Sequence, residues 1–338
     1  MKYLITGGLG FIASNMIRYL FRKYPDCKIL NVDKVSYCSN VDNLKGIAGK
    51  FDYSFSKTDI ADPYIGQVIK EFNPDVVINA AAETHVDRSI RNPRAFLDAD
   101  IVGVFNLILH SLKNDVKRFI HISTDEVYGP IEKGTCSEDA QLNPTSPYAA
   151  SKAAGDLLLL SYVKTYGFPA IIVRPCNNYG RFQYPEKLIP MTITRMLQNE
   201  KIILHGKGAE IREYIYVDDC CRAIDLVEKG GNIGNIYNIG SGERINNLNV
   251  IKRVVHSMYG ALDVESFLNR TPNRPGNDQR YAINSKKLTD ELGDYLTTTF
   301  QNGAKFTTDW YINNKPWWDS LDVDLSANIY HNNREYLR

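Results

Sequence analysis

The sequence predicts an α/β protein with a doubly wound parallel sheet and a smaller C-terminal domain. Three observations carry this expectation. Short β-branched apolar runs alternate with helical patterns through the first half of the chain. The first such run, Tyr3 to Thr6, enters a glycine-rich turn and then an amphipathic helix. Past Arg174 the alternation breaks, with Pro175, Asn177, Asn178, Gly180, Pro185 and Pro190 interrupting a long irregular stretch.

In order, the opening strand leads into Gly7-Gly8-Leu9-Gly10-Phe11-Ile12-Ala13 and a helix from Ser14 to Lys23. Glycines there let the backbone approach a pyrophosphate at the helix N-terminus, the opening of a Rossmann-like fold. The spacing is G-x-x-G-x-x-A, and the methyl of Ala13 is tolerable where a third glycine is commoner. A second strand, Lys28 to Val32, ends in Asp33, placed to accept hydrogen bonds from ribose hydroxyls and to repel a 2′-phosphate. NAD is therefore expected over NADP, although Lys34 works against the preference. Phe51 to Ser56 is the third strand, followed by Thr58-Asp59-Ile60 as an adenine-edge loop. Asp75 to Asn79 is the fourth, running into Ala80-Ala81-Ala82-Glu83-Thr84-His85, whose small residues let the backbone lie close to a cofactor. Val102 to Leu112 reads as a buried helix face, and Phe119 to Thr124 as the fifth strand. A helix from Tyr148 to Thr165 precedes a strand from Ala170 to Val173.

Further on, the pattern predicts a helix from Met191 to Gln198, strands at Ile202 to Leu204, Tyr214 to Val217 and Asn235 to Ile239, and helices from Asn249 to Tyr259 and Ser285 to Leu292. Arg274 to Arg280 is a polar, doubly basic loop, and little periodicity follows Trp318.

The stretch from Phe119 to Lys152 concentrates the chemistry. A strand buried on both faces ends in Thr124-Asp125-Glu126, a hydroxyl and two carboxylates at the carboxyl end where ligands bind in open α/β sheets. The i,i+4 spacing of Tyr148 and Lys152 puts phenol and ammonium on one helix face. A nearby cation favours phenolate, so Tyr148 is expected to act as a base below its free pKa of about 10.

Composition narrows the class. The chain has 338 residues, 43% hydrophobic and 23% charged, the values of an ordinary globular protein of about two domains. With a net charge of +1 and no block of like charges, neither nucleic acid nor an acidic membrane surface is expected as a partner. The six cysteines include no C-x-x-C pair and read as reduced thiols. The chain begins directly with a strand, leaving no room for a signal peptide, and no apolar stretch is expected to reach the roughly 18 residues that span a bilayer. A cytoplasmic protein is expected. No cluster has metal-ligand spacing, and His85 reads as a packed structural residue.

These motifs resemble the extended short-chain dehydrogenase/reductase superfamily and, within it, the nucleotide-sugar 4,6-dehydratases, with most likeness to the dTDP-glucose type and then the UDP-glucose type. The resemblance runs from TGGLGFIASN through ETHVDRSI, HISTDEVYG, YAASK, NNYGRFQYPEKLIP and GAEIREYIYVDD to NRPGNDQRYAIN, leaving the last 20 residues uncovered. Thr124-Asp125-Glu126 is the specific part, because sugar epimerases and decarboxylases of the superfamily lack the acidic pair.

The resemblance implies a reaction and a set of roles. Tyr148, assisted by Lys152, would take the proton of the sugar 4-hydroxyl while hydride leaves C4 for NAD, and Thr124 would hold that oxygen. Glu126 would then remove the C5 proton, and a protonated Asp125 would help the 6-hydroxyl leave as water. Hydride would return to C6, giving a 4-keto-6-deoxy sugar. Neighbouring carboxylates oppose each other's ionisation, which suits one acid beside one base. The likeness places Gly7, Gly10, Phe11, Ile12, Asp33, Lys34, Asp59, Ile60, Ala80, Ala81, Ala82, Thr84, Tyr148, Lys152 and Asn178 around NAD. It places Thr84, Thr124, Asn177, Lys187, Leu188, Arg212, Asn247, Arg274 and Asn277 on the nucleotide sugar. Ala99 stands where the family often has a hydroxyl. Residues 1–175 and 214–240 would form the NAD-binding domain, and 176–213 with 241–325 the substrate-binding domain. Relatives are homodimers packed through helices like Val102 to Leu112 and Tyr148 to Thr165.

Two other readings use the same cofactor site. One is a sugar-nucleotide 4-epimerase or decarboxylase, against which Asp125 and Glu126 argue. The other is a non-catalytic NAD-binding regulator, which would have little reason to combine Tyr148, Lys152 and the acidic pair.

Overall fold

The computed structural model describes residues 1–273 and 276–323. Its strands are β1 (Lys2–Thr6), β2 (Lys28–Asp33), β3 (Tyr53–Lys57), β4 (Val76–Asn79), β5 (Arg118–Ile122), β6 (Ala170–Pro175), β7 (Asn177–Tyr179), β8 (Ile202–His205), β9 (Ile211–Tyr216), β10 (Ile236–Ile239), β11 (Arg244–Asn246) and β12 (Leu268–Thr271). Seven form one sheet in the order β10-β6-β5-β4-β1-β2-β3, every pair parallel. The chain winds from β1 outward to β3 and then resumes at β4 on the other side. The topological switch, and hence the ligand crevice, therefore lies at the carboxyl ends of β1 and β4.

The helices are α1 (Phe11–Lys23), α2 (Ile65–Phe72), α3 (Val86–Arg91), α4 (Pro93–Leu97), α5 (Val104–Lys113), α6 (Pro147–Tyr166), α7 (Leu188–Leu197), α8 (Val217–Gly230), α9 (Asn247–Tyr259), α10 (Lys286–Leu292), α11 (Phe300–Asn313) and α12 (Lys315–Asp319). Strand alternation sends Tyr3 and Ile5 of β1 to one face, against Met16, Leu20, Ile224 and Val227 of α1 and α8. Leu4 points to the other face, against Ile65, Ile69, Leu107 and Leu159 of α2, α5 and α6. Each fully buried side chain of this size stabilises by roughly 1.5–3 kcal/mol. Both faces are thus covered, which fixes the sheet rigidly beneath the crevice.

Beyond β6 the chain builds a second, smaller layer. β7 pairs parallel with β9, which pairs antiparallel with β11, and β8 pairs parallel with β12. α7, α9 and α11 pack around them through Ile193, Val250, Val254 and Tyr311. The stretch read as irregular after Arg174 therefore contains a strand, held because β9 supplies its partner. The boundary expected at 214 falls inside β9, and the chain returns to the large sheet through α8.

Other expectations change as well. The sequence pattern does not predict α2, α3, α4, α8, α11 and α12, nor strands β11 and β12. One run, Pro93–Lys113, is long and apolar enough to cross a membrane by length and composition, with mean hydropathy 1.5, contrary to the expectation that none is. Half of it is buried inside the fold, between α2 and α6. Within that run, Asp98–Gly103 is a π-helical segment.

Candidate active site

The crevice at the switch point opens into a cleft of about 300 Å³. Gly7 lies there at φ +67°, and a Cβ on it would meet Ala81 Cα at 2.8 Å. Only glycine lets the turn pass this close to the loop after β4. Thr6 Oγ1 ties the two together, accepting from the backbone N–H groups of Ala80 and Ala81 at 3.2 and 3.1 Å while donating to Asn79 Oδ1 at 2.6 Å. Gly10 precedes α1 without a side-chain cap, and the first turn carries no acidic residue. No side chain there competes with an anion for the positive end of the helix.

Asp33 is buried where β2 stops. Its Oδ2 accepts from Leu9 N at 3.0 Å, and its Oδ1 from Val35 N at 2.7 Å and Ser39 Oγ at 2.9 Å. Lys34 Nζ lies 3.0 Å from Glu83 Oε1 and 3.9 Å from Asp59 Oδ2, so its charge is committed within the protein. Gly7, Gly10, Phe11, Ile12, Asp33, Lys34, Asp59, Ile60, Ala80, Ala81, Ala82, Thr84 and Asn178 all line this cleft, as do Ala99, Tyr148 and Lys152. The uncapped helix, the glycine cradle and the carboxylate at the end of β2 fit a dinucleotide.

β5 stops at Ile122, two residues early, because Thr124 turns out to cap a 3₁₀ turn over Asp125–Tyr128 and accepts from Glu126 N at 3.3 Å. Asp125 is 2% exposed, its Oδ1 accepts a long bond from Thr124 Oγ1 at 3.4 Å, and its Oδ2 has no hydrogen-bond partner among the described residues. Burial, then Glu126 and Glu213, push its carboxyl well above the usual range. Burial thus favours the protonated form of the acid beside Glu126.

α6 starts where expected, with the Ser146 hydroxyl accepting from Ala149 N at 3.1 Å and Pro147 in its first turn. Tyr148 and Lys152 share one face, yet the effect on the phenol is the reverse of the expectation. Burial, then Glu126 and Asp100, push the Tyr148 phenol well above 10. The cation is occupied: Lys152 Nζ donates to Ile122 O at 2.7 Å and lies 3.7 Å from Asp100 Oδ1. Asp100 Oδ2 accepts from Ser151 Oγ at 2.7 Å, and burial pushes this carboxyl up to about 6. Gly155, one turn along α6, permits the contact, since a Cβ there would meet Asp100 O at 2.6 Å.

A second cleft of about 170 Å³ adjoins the first and shares Glu126, Asn177, Glu186, Lys187, Leu188 and Tyr214 with it. Arg212, Asn247 and Asn277 line this second cleft, whereas Thr84 and Thr124 line only the first. Arg212 donates to Asp278 O at 2.8 Å and lies 4.4 Å over the Tyr281 ring, which aims a buried guanidinium. Asn247, the first residue of α9, accepts from the Tyr214 hydroxyl at 3.4 Å. Lys187 Nζ donates to Thr84 O at 2.8 Å. Arg274 lies outside the described residues.

Sequence reasoning missed Asp100, Glu186 and Tyr214. The available signal for Asp100 was an acid inside an apolar helical run; nothing local marked the other two. His85 is buried, 3.5 Å from Asp87 Oδ2 and 4.0 Å from Glu186 Oε2, and lines the second cleft.

Over residues 4–307 the chain matches the family described as GDP-mannose 4,6 dehydratase. It is 38% identical over 326 residues to the dTDP-glucose 4,6-dehydratase of Streptomyces niveus, covering 95% of this chain and 96% of that one. It is 41% identical over 313 residues to the low-salt glycan biosynthesis protein Agl12 of Haloferax volcanii, covering 92% and 99%. The crystal structure of the dTDP-glucose 4,6-dehydratase DesIV from Streptomyces venezuelae, with NAD bound, superposes with a TM-score of 0.91 at 38% identity, covering 95% of this chain and 100% of that one. A UDP-glucose 4-epimerase from Thermotoga maritima superposes at 0.86 with 26% identity, over 93% and 100%. Fold is thus shared with epimerases, and sequence more closely with dehydratases. The chain belongs to the GDP-mannose 4,6 dehydratase family, as a nucleotide-sugar dehydratase of the extended short-chain dehydrogenase/reductase superfamily.

Proposed function

We propose that this chain is an NAD-dependent dTDP-glucose 4,6-dehydratase. The observation that carries the reading over an epimerase is Glu126, which lines both clefts beside the buried, high-pKa Asp125. An epimerase needs no acid/base pair for carbon–oxygen elimination.

NAD, when bound, would supply a hydride acceptor for C4 and donor for C6, and its positive charge would favour the Tyr148 phenolate against the burial that holds its proton. Tyr148 then accepts the proton of the 4-hydroxyl, with Thr124 donating a hydrogen bond to the same oxygen. Lys152 is held in place beside the site by the Ile122 carbonyl and Asp100. Once C4 is a ketone, the C5 hydrogen is acidic and Glu126 removes it. Asp125 gives its proton to the departing 6-hydroxyl, which leaves as water. Arg212 offers a fork matched to phosphate oxygens, with Lys187, Asn177, Asn247 and Asn277 around it. The large sheet would hold NAD, and the elements after β6, apart from α8 and β10, the nucleotide sugar.

We further infer a cytoplasmic homodimer. Leu97, Val102, Phe105 and Leu157 are exposed on α4, the π-helical segment, α5 and α6, a shared apolar surface that a second copy would cover.

The test is incubation with dTDP-, UDP-, CDP- and GDP-glucose, followed by product analysis. The 4-keto-6-deoxy sugar should form fastest from dTDP-glucose; a 4-epimer without deoxygenation overturns the reading. Tyr148→Phe should lower turnover by about 10²–10⁴-fold with substrate affinity little changed.

A further inference from the structure

We propose that Tyr37, Arg88 and Glu186 form a strap that retains the dinucleotide through the catalytic cycle, with Tyr37 as a positioning residue. The inference rests on the NAD reading above and adds residues that it does not use.

Three loops contribute walls to the first cleft: one after β2, one after β4 and one before α7. Ser36, Cys38 and Ser39 line the cleft from the first loop, and Tyr184, Glu186 and Lys187 from the third. Tyr37 joins these two walls. Its hydroxyl donates to Glu186 Oε1 at 3.0 Å, and its ring stands edge-on to that of Tyr184 with centroids 5.6 Å apart. Arg88, from α3 beyond the second loop, closes the triangle. Its guanidinium lies 3.8 Å from the Tyr37 ring centroid, and its Nε is 3.6 Å from Glu186 Oε2. The second and third loops are tied again by Lys187 donating to Thr84 O.

The contacts are of a durable kind. Glu186 is 5% exposed, and a hydrogen bond to a buried carboxylate is stronger than one between neutral groups. Burial, then Glu186, push the Tyr37 phenol well up, so it stays protonated and keeps donating. The cation over the ring adds a second attachment that a phenylalanine would keep. The loops on the two sides of the cleft are therefore joined, with the Tyr37 hydroxyl bond to Glu186 as the direct hydrogen bond between the first and third loops.

The chemistry requires such a fastening. Hydride taken at C4 must come back at C6 of the same sugar, so a cofactor that left midway would strand a 4-keto hexose. Backbone fit at Gly7 and hydrogen bonds at Asp33 bind the dinucleotide but place no barrier across its exit.

The experiment measures NAD dissociation from the purified, NAD-loaded protein by chase with labelled NAD, alongside free reduced nicotinamide released during a single turnover. Tyr37→Phe should raise the dissociation rate by about tenfold or more and release reduced nicotinamide with unreturned 4-keto hexose. Glu186→Gln, which keeps an acceptor but no charge, should give a smaller rise. A rise below about threefold in folded Tyr37→Phe overturns the strap. If that variant does not fold, Glu186→Ala is read against the same threshold. Wild-type protein that binds no NAD would instead overturn the function proposed above.

Discussion

Asp33 at the cofactor end of the cleft and Asp125 at the reacting end are both buried carboxylates at the ends of parallel strands, yet the fold surrounds them differently. Three donors converge on Asp33, from Leu9, Val35 and Ser39. Asp125 receives one long bond and has Glu126 and Glu213 as neighbours. The donors around Asp33 engage its oxygens as acceptors, whereas burial and acidic neighbours favour the protonated form of Asp125. On the function proposed above, the cofactor end would work by shape and preformed hydrogen bonds, and the reacting end by a proton held for the leaving hydroxyl.

The sharpest way to separate the two ends is Glu126→Gln, which removes the proposed C5 base and leaves every contact around Asp33. Formation of 6-deoxy product should fall by about 10²–10⁴-fold while oxidation at C4 survives. Reduced-nicotinamide absorbance should rise on mixing with dTDP-glucose, with little solvent deuterium entering C5. Undiminished product would break the comparison.

Asp100 extends the stored-proton side. Its folded pKa of about 6 exceeds the unfolded value of about 3.9, so between these the folded chain binds more protons. Stability therefore falls as pH rises from about 4 to about 6, by up to about 3 kcal/mol. Asp100→Asn should flatten that part of the curve, measured as urea midpoints against pH. An unchanged slope would show that Lys152 already compensates the charge.

At the cofactor end, Gly7→Ala should cost about 1–3 kcal/mol of stability, because it forces a side chain into a left-handed backbone and against Ala81. NAD affinity should drop with it, read by titration, while the Asp125 environment is untouched. Binding at wild-type strength would mean that the cradle matters less than Asp33.

What could be read in the sequence divides along similar lines. β1, β2, β4, β5 and β6 were legible because a strand buried on both faces must be a short apolar run. The glycine turn was legible because its demand is local. α8 was not, because buried acids interrupt its apolar stripe. Asp219 accepts from the backbone of Thr297 and Thr298, and Asp225 pairs with Lys23 at 2.5 Å, partners 78 and 202 residues away. α11 was hidden similarly: Gly303 is buried, with Tyr179 filling the space a side chain would need. The phenol of Tyr148 departs from expectation because spacing reveals Lys152 but not the burial of the ring, nor Glu126 and Asp100 brought beside it by other elements. Strand ends that bear reactive groups are visible locally; the charges that tune them are not.

The π-helical segment at Asp98–Gly103 sets a constraint on length. Within it, Asp100 meets α6 at Ser151 and Gly155. Its last residue, Gly103, packs so closely on Ile60 that a Cβ would sit 2.5 Å away, and past it Asn106 donates to the carbonyls of Ile60 and Ala61. One helix thus keeps two appointments, with the reacting end and with the adenine-edge loop. The surplus residue is a phase correction between them. Deleting it would turn everything downstream by about 100°, and one of the two faces would be lost. In this stretch the count of residues is as much a determinant of the site as their identity.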